Sequence, residues 1–299
     1  MNKLIAELQR LYFLDEQHGY CVSADALIAG AATACLCTPA IVASALAAET
    51  GLQLNLASAQ GMARLMVVQF HQAADWALVA QLHRRLQSEL SLPAPAVSIA
   101  AQGGYSLWFS LAEPVALAPL QSFLAILGQR YLADVEASHI AFYPDSARAA
   151  AIEPSLLALV PAFDPVTERW SAFIDPSMGS MFIDEPGLEM APGMDKQAEI
   201  LAGFASMNIE HFQRALLLLQ TSVEVETIAA GNPENPGHRP ARPSLASPAQ
   251  RKKLNVGSNF SEPTSFLLAV MNDAEATAGQ RIKAAKVLLA YAADRKKHD

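Results

Sequence analysis

Few residues in this chain combine a reactive type with a telling spacing. Gln69 and His71 alternate at the end of the apolar run 64–71, so a strand there would carry both on one face. The turn Gln102-Gly103-Gly104 opens a run in which Tyr105, Leu107, Phe109 and Leu111 alternate with Ser106, Trp108 and Ser110. Exposed aromatics on a sheet stack on unpaired bases, which makes Tyr105 and Trp108 candidate nucleic-acid contacts. Arg239, Arg242, Arg251, Lys252 and Lys253, opposed only by Glu234, are a second candidate set, suited to salt-dependent phosphate contact. Phe173-Ile174-Asp175-Pro176 is echoed by Phe182-Ile183-Asp184-Glu185-Pro186, and with Glu189 this makes a small acidic cluster. Carboxylates suit hard cations, but Asp before Pro is also ordinary turn chemistry, and the turn is the preferred reading. Cys21, Cys35 and Cys37 are odd in number and lack a second pair, so they read as small buried apolar residues. His18, His71, His83, His139 and His211 are scattered; His71 and His139 approach each other only if their strands are neighbours, and no third ligand accompanies them. No nucleophile elbow, Walker loop, H-E-x-x-H or Rossmann fingerprint occurs. The sequence therefore assigns no catalytic residue, no metal and no cofactor.

The elements that must position these residues follow from local rules. The run 64–71, bounded by Gly61 and Gln72, is a strand. Asp75 caps a helix to about Leu90, with Trp76, Val79, Leu82, Leu86 and Leu90 on one face; Pro93 and Pro95 end it. Residues 96–101 form a second strand and 105–111 a third. Pro119 opens a second helix to Leu132 with Leu120, Phe123, Leu124 and Leu127 inward, and 138–143 is the last strand, stopped by Pro144-Asp145. The order β-α-β-β-α-β predicts an α+β, ferredoxin-like split βαβ core with two helices on one face of an antiparallel sheet.

The stretch Gln102-Gly103-Gly104-Tyr105-Ser106-Leu107-Trp108-Phe109 resembles the second catalytic motif of archaeo-eukaryotic primases and primase-polymerases. That motif is a glycine-rich turn followed by a His within an apolar strand. The resemblance implies that the preceding strand should carry alternating metal-binding carboxylates. Here Gln69 and His71 occupy those positions and Ser106 stands where the family has His. Two-metal phosphoryl transfer needs carboxylates to hold a pair of divalent cations, and a neutral Gln and a His are poor substitutes for Mg²⁺. The resemblance thus implies a degenerate domain that does not polymerise nucleotides. It covers roughly a quarter of the chain.

Five regions are expected. Residues 1–51 form a helical N-terminal piece: a first helix over 2–13, then two short Ala-rich helices in the uncharged stretch 26–48, the second capped by Thr38-Pro39. That uncharged stretch is long enough to span a bilayer, but it is poor in Leu and Ile, and buried helices are preferred over a membrane span. Residues 52–150 hold the ferredoxin-like core, with 52–56 joined to it as a hairpin strand. Residues 151–228 are irregular and proline-rich at first and end in a helical hairpin. Residues 229–259 are a flexible basic linker. Residues 260–299 form a C-terminal helical hairpin similar to a two-helix unit of phage small terminase-like proteins, which should dock on a partner protein, on a second copy or on nucleic acid. In 299 residues, 52% are hydrophobic, 17% are charged and the net charge is −8, which argues against a general polyanion binder. No signal peptide is evident, so a cytoplasmic protein without a membrane partner is expected. The leading functional expectation is a non-catalytic nucleic-acid- or protein-binding protein of a phage or mobile-element system. The alternatives are an adaptor assembling through 260–299, and a metal-dependent nucleotidyl transferase using Asp145 or the Asp175/Asp184/Glu185 cluster.

Overall fold

A computed structural model describes residues 1–23, 32–145 and 155–230. The chain opens with helix α1 (Asn2–Leu11), which buries Leu4, Ile5, Leu8 and Leu11 at spacings of three and four. Strands β1 (His18–Ser23) and β2 (Ala32–Leu36) pair antiparallel. Helix α2 (Pro39–Leu46) begins on the expected signal: Pro39 fills its first position and the Thr38 side chain accepts from Ile41 N at 3.4 Å. Strand β3 (Thr50–Asn55) then pairs with β1.

The central domain follows in the predicted order: β4 (Met62–Phe70), α3 (Trp76–Leu90), β5 (Ala96–Ile99), β6 (Tyr105–Ala116), α4 (Leu117–Tyr131) and β7 (Ile140–Tyr143). Four short strands come next, β8 (Leu156–Ala158), β9 (Phe163–Asp164), β10 (Arg169–Trp170) and β11 (Ala172–Ile174), then helices α5 (Met194–Ala202) and α6 (Ile209–Ala230). The main sheet has the order β11-β5-β6-β4-β7, and every neighbouring pair is antiparallel. Strand β6 lies between β4 and β5, which α3 connects, so this is the split βαβ arrangement, an α+β fold.

Alternation along the strands sorts their side chains to two faces. Met66, Val68, Phe70, Leu107 and Phe109 face the first layer, packing with Val79, Leu82 and Leu86 of α3, Phe123 and Leu127 of α4, and Phe212 of α6. Leu65, Val67, Trp108 and Phe173 face the other way, into a second core with Leu4 and Leu8 of α1 and with Leu52 and Leu54 of β3. A second sheet, β2-β1-β3-β8, therefore lies on the far side of the main one. Arg64 ties the two layers together. It sits at the irregularity between Ala63 and Leu65, and its guanidinium donates to Arg10 O (2.9 Å), Phe13 O (3.1 Å) and Leu111 O (3.2 Å). A cation on the last carbonyls of α1 also complements that helix's dipole. On the outer edge, the buried Gln197 stands in for a further strand: its Oε1 accepts from Phe173 N at 2.7 Å and its Nε2 donates to Phe173 O at 2.9 Å.

Several expectations are corrected. Of the two Ala-rich helices expected in 26–48, the second is α2, but 32–36 is a strand of the β1–β2 hairpin, so the N-terminal piece is not wholly helical. The turn at Ser58–Gly61 forms, closed by Gly61 N donating to Ser58 O, yet β3 does not extend the main sheet; it belongs to the second one. The part of 151–191 that is described contains four short strands and is less irregular than its prolines suggest. Helices α5 and α6 do not pair as a hairpin. Leu201 of α5 packs in the core on α1's side and Phe212 of α6 in the core on α4's side, so the chain between them passes from one face of the sheet to the other. Asp75 holds the cap position of α3, but its side chain makes no capping bond and its Oδ2 is buried without a partner. The linker 229–259 beyond residue 230 and the hairpin 260–299 lie outside the described residues. Among the described residues, no helix is long and apolar enough to cross a membrane.

Candidate functional site

The register of the main sheet gathers the polar residues of its second face into one row. Gln69 of β4 is opposite Ser106 of β6, and Ser106 is opposite Ser98 of β5. Adjacent strands are about 4.8 Å apart, so the three side chains stand side by side on one floor. His71 follows β4 at the end of this floor. The row lies beyond the region where Val67, Trp108 and Phe173 are covered by the second core. There a groove of about 580 Å³ is lined by residues of both sheets. Gln69, Ser98, Ser106 and His71 line its floor, the 101–103 turn one end, and Gln53, β8 and the β9 strand the opposite wall.

The floor is neutral. Ser98 is 2% exposed, and its Oγ accepts from Trp108 Nε1 at 2.8 Å. Ser106 is 6% exposed and Gln69 half-buried, and neither side chain has a hydrogen-bonding partner among the described residues. One carboxylate, that of Asp164, lines the groove, and it is held in its own turn. Its Oδ1 accepts from Val166 N at 3.0 Å and its Oδ2 from Thr167 Oγ1 at 3.1 Å. Among the described residues, no Lys or Arg lines the groove.

Three of the sequence-derived positions, Gln69, His71 and Ser106, are thus brought together in one groove. The aromatic expectation is not met. Tyr105 is fully buried on the opposite face, with Trp76 at 5.1 Å and its hydroxyl donating to Gly179 O at 2.9 Å; burial, and then the charge of Asp75, push its pKa up to about 12. Trp108 is 3% exposed and wedged between Tyr12 (5.3 Å) and Phe173 (5.4 Å). Neither ring has a free face for a base. The physical reason is that both faces of this sheet carry a packed layer, whereas stacking needs one face open to solvent. An exposed ring does occur at the groove rim: Phe163, 38% exposed, with Trp170 at 5.4 Å. Sequence reasoning passed over Phe163, and it missed Ser98 as well; the alternation of 96–99 could have flagged Ser98, but nothing local marks Phe163.

His71 and His139 do neighbour each other, but through the backbone, His71 N donating to His139 O at 2.8 Å. The His139 ring turns instead to Gln72 Nε2 (2.8 Å) and Glu136 (3.3 Å). Asp175 behaves as the turn reading expects: its carboxylate caps the short 3₁₀ turn 176–182, accepting from Ser177 N at 2.9 Å. Hydrogen bonds from Ser177 hold its pKa below the usual carboxylate value. Asp184, Glu185 and Glu189 are exposed. Asp145 is at the end of β7, its backbone N donating to Ser155 Oγ at 3.2 Å. Among the described residues, no three His, Cys, Asp or Glu side chains are grouped to hold a metal ion. Arg239, Arg242, Arg251, Lys252 and Lys253 lie outside the described residues.

No family model and no curated protein matches the chain. Among solved structures, it is similar to the AEP domain of the cyanophage S-2L primase-polymerase, with a TM-score of 0.39 and 11% identity, over 67% of this chain and 97% of that one. It is also similar to the polymerase domain of Mycobacterium tuberculosis ligase D, solved in complex with DNA, with a TM-score of 0.41 and 13% identity, over 67% and 85%.

Proposed function

We propose that the protein binds single-stranded nucleic acid through the groove between its two sheets, on a primase-like domain that acts by binding rather than by nucleotidyl transfer. The observation that carries this reading is the floor itself. The two positions where the resembled motifs call for a metal-binding carboxylate and a His hold Gln69 and Ser106, side by side and without a hydrogen-bonding partner among the described residues. A carboxamide and a hydroxyl hydrogen-bond base edges, as Gln and Ser do in nucleic-acid readout, whereas they are poor ligands for Mg²⁺. The nucleotidyl-transferase alternative needs paired carboxylates at the reacting site; among the described residues the groove is lined by one carboxylate, Asp164, engaged in its own turn. A net charge of −8 leaves no general attraction for polyanions, so affinity must come from local contacts; the basic tether 239–253 is the sequence's own source of phosphate contact. The adaptor alternative, and placement in a phage or mobile-element system, rest on the sequence of 260–299.

Fluorescence anisotropy with labelled single-stranded and duplex DNA and RNA, at low and high salt, tests the reading. The full chain is expected to bind single strands with a Kd in the range of about 1–100 µM and to weaken with salt, as non-specific phosphate contacts do. Gln69→Leu is expected to weaken binding about five- to tenfold, the discrimination of one base-edge contact. No binding of any nucleic acid would refute the proposal and leave the adaptor reading.

A further inference from the structure

The groove's chemistry also narrows what it takes from a strand; this step rests on the nucleic-acid reading above. Phosphate is held most strongly by Lys, Arg, a helix N-terminus or a nest of backbone N–H groups, and a hard cation by several carboxylate or carbonyl oxygens. Among the described residues the lining offers no Lys or Arg and one carboxylate, Asp164, each oxygen of which already accepts a hydrogen bond, from Val166 N and from Thr167 Oγ1. What it does offer is uncharged. Ser106 lines the groove, and its hydroxyl makes no hydrogen bond to another described residue, which leaves it open to a ligand. Gln69 stands opposite it across one strand spacing, its donors and acceptor unpaired among the described residues. At the rim, Phe163 exposes its ring, braced by Trp170. A groove of about 580 Å³ is in the size range of sites for small molecules.

We propose that the groove holds a single unstacked nucleobase, with the Gln69 carboxamide and the Ser106 hydroxyl on its edge and Phe163 against its face, while the sugar-phosphate chain stays outside in solvent. An uncharged planar heterocycle with adjacent donors and acceptors is the ligand that uses all three groups and asks for no cation. Recognition at this site is then independent of salt and of metal ions, unlike phosphate contact.

The test is calorimetric titration of the full-length protein with uncharged nucleosides (adenosine, guanosine, cytidine, uridine and thymidine) at low and high salt in the presence of EDTA, alongside the strand-binding assay. At least one nucleoside is expected to bind with the same affinity at both salts. Phe163→Ala is expected to weaken it about five- to hundredfold, the range found for loss of a base–aromatic stack. Gln69→Leu is expected to weaken it about fivefold or more, and Phe163→Tyr to retain it. Circular dichroism on each variant checks that the fold is kept; Gln69 and Phe163 are both at the groove surface. Nucleoside binding without strand binding would overturn the nucleic-acid reading and keep the base site. Strand binding that is indifferent to Gln69→Leu and Phe163→Ala, or a lack of nucleoside binding, would overturn the base site and leave strand binding to other parts of the chain.

Discussion

Gly104→Ala should be among the most damaging single-methyl additions in this protein, and the reason is local. Gly104 has φ +90°, a conformation that costs an L-residue about 1–3 kcal/mol. Its position adds a collision. A Cβ at Gly104 would be driven into the carbonyl oxygen of Phe70 and would come within 2.9 Å of the carbonyl carbon of His71. Both are backbone atoms of β4 and its end, so no side chain can swing aside. Relief requires β4 and β6 to part at the Phe70–Tyr105 pair, or the turn to give up the bond from Ala100 N to Gly104 O (3.1 Å). Each backbone hydrogen bond lost there costs about 1 kcal/mol, so with one or two lost the total is about 2–5 kcal/mol. Two neighbouring cases serve as controls. Gly103 has φ +104°, but a Cβ there meets Pro186 at an ordinary 3.5 Å, and at Gly61, with φ +70°, it meets nothing within 4 Å. Both should show conformational strain alone, about 1–3 kcal/mol. Urea unfolding followed by tryptophan fluorescence gives the three values. A Gly104→Ala variant no less stable than Gly103→Ala would refute the reasoning. The same variant should also disturb the groove floor, since Ser106 is two residues on.

Two further outcomes follow from titrating groups. His83 is half-buried on α3, its Nε2 3.2 Å from Pro95 O, and burial lowers its pKa below 6.5 despite that contact. The unfolded chain therefore protonates first as pH falls, so stability is full above about 6.5 and is lost progressively as pH drops through the folded value. His83→Gln should flatten that part of a stability-against-pH curve, and an unchanged slope would contradict the assignment. Burial, and then the Cys21 thiol beside it, push Cys35 up to about 12, and burial raises Cys37 to about 11. Both should alkylate with iodoacetamide at neutral pH more slowly than a free thiol and accelerate as pH rises; mass-spectrometric rates equal to those of free cysteine would rule this out.

Much of the fold was legible because it rests on short-range periodicity. The Val79-Leu82-Leu86-Leu90 stripe, the Tyr105–Leu111 alternation and the Thr38-Pro39 start each name an element without reference to the rest of the chain, and the β-α-β-β-α-β order follows. The β1–β2 hairpin was not legible, because Ala32–Leu36 is an exposed strand rich in Ala and Thr whose partner, not its composition, makes it extended. The pairing of β3 was misplaced for a related reason. The turn at Ser58–Gly61 is visible in the sequence, but whether the strands on either side of it pair depends on which edge is already occupied.

The candidate site divides along the same line. The sequence by itself determined that Gln69 and His71 share a face and that Ser106 follows a glycine turn, since side-chain direction alternates with a fixed period along a strand. It also determined that no paired carboxylates stand at those positions. Only the tertiary structure decided that Gln69, Ser106 and Ser98 form one row, because register between strands is set by contacts distant in sequence. It alone decided that Tyr105 and Trp108 are interior while Phe163 is at the rim. Burial is a property of what packs against a residue, and here a second sheet and α1 close over most of the face that the local pattern left open.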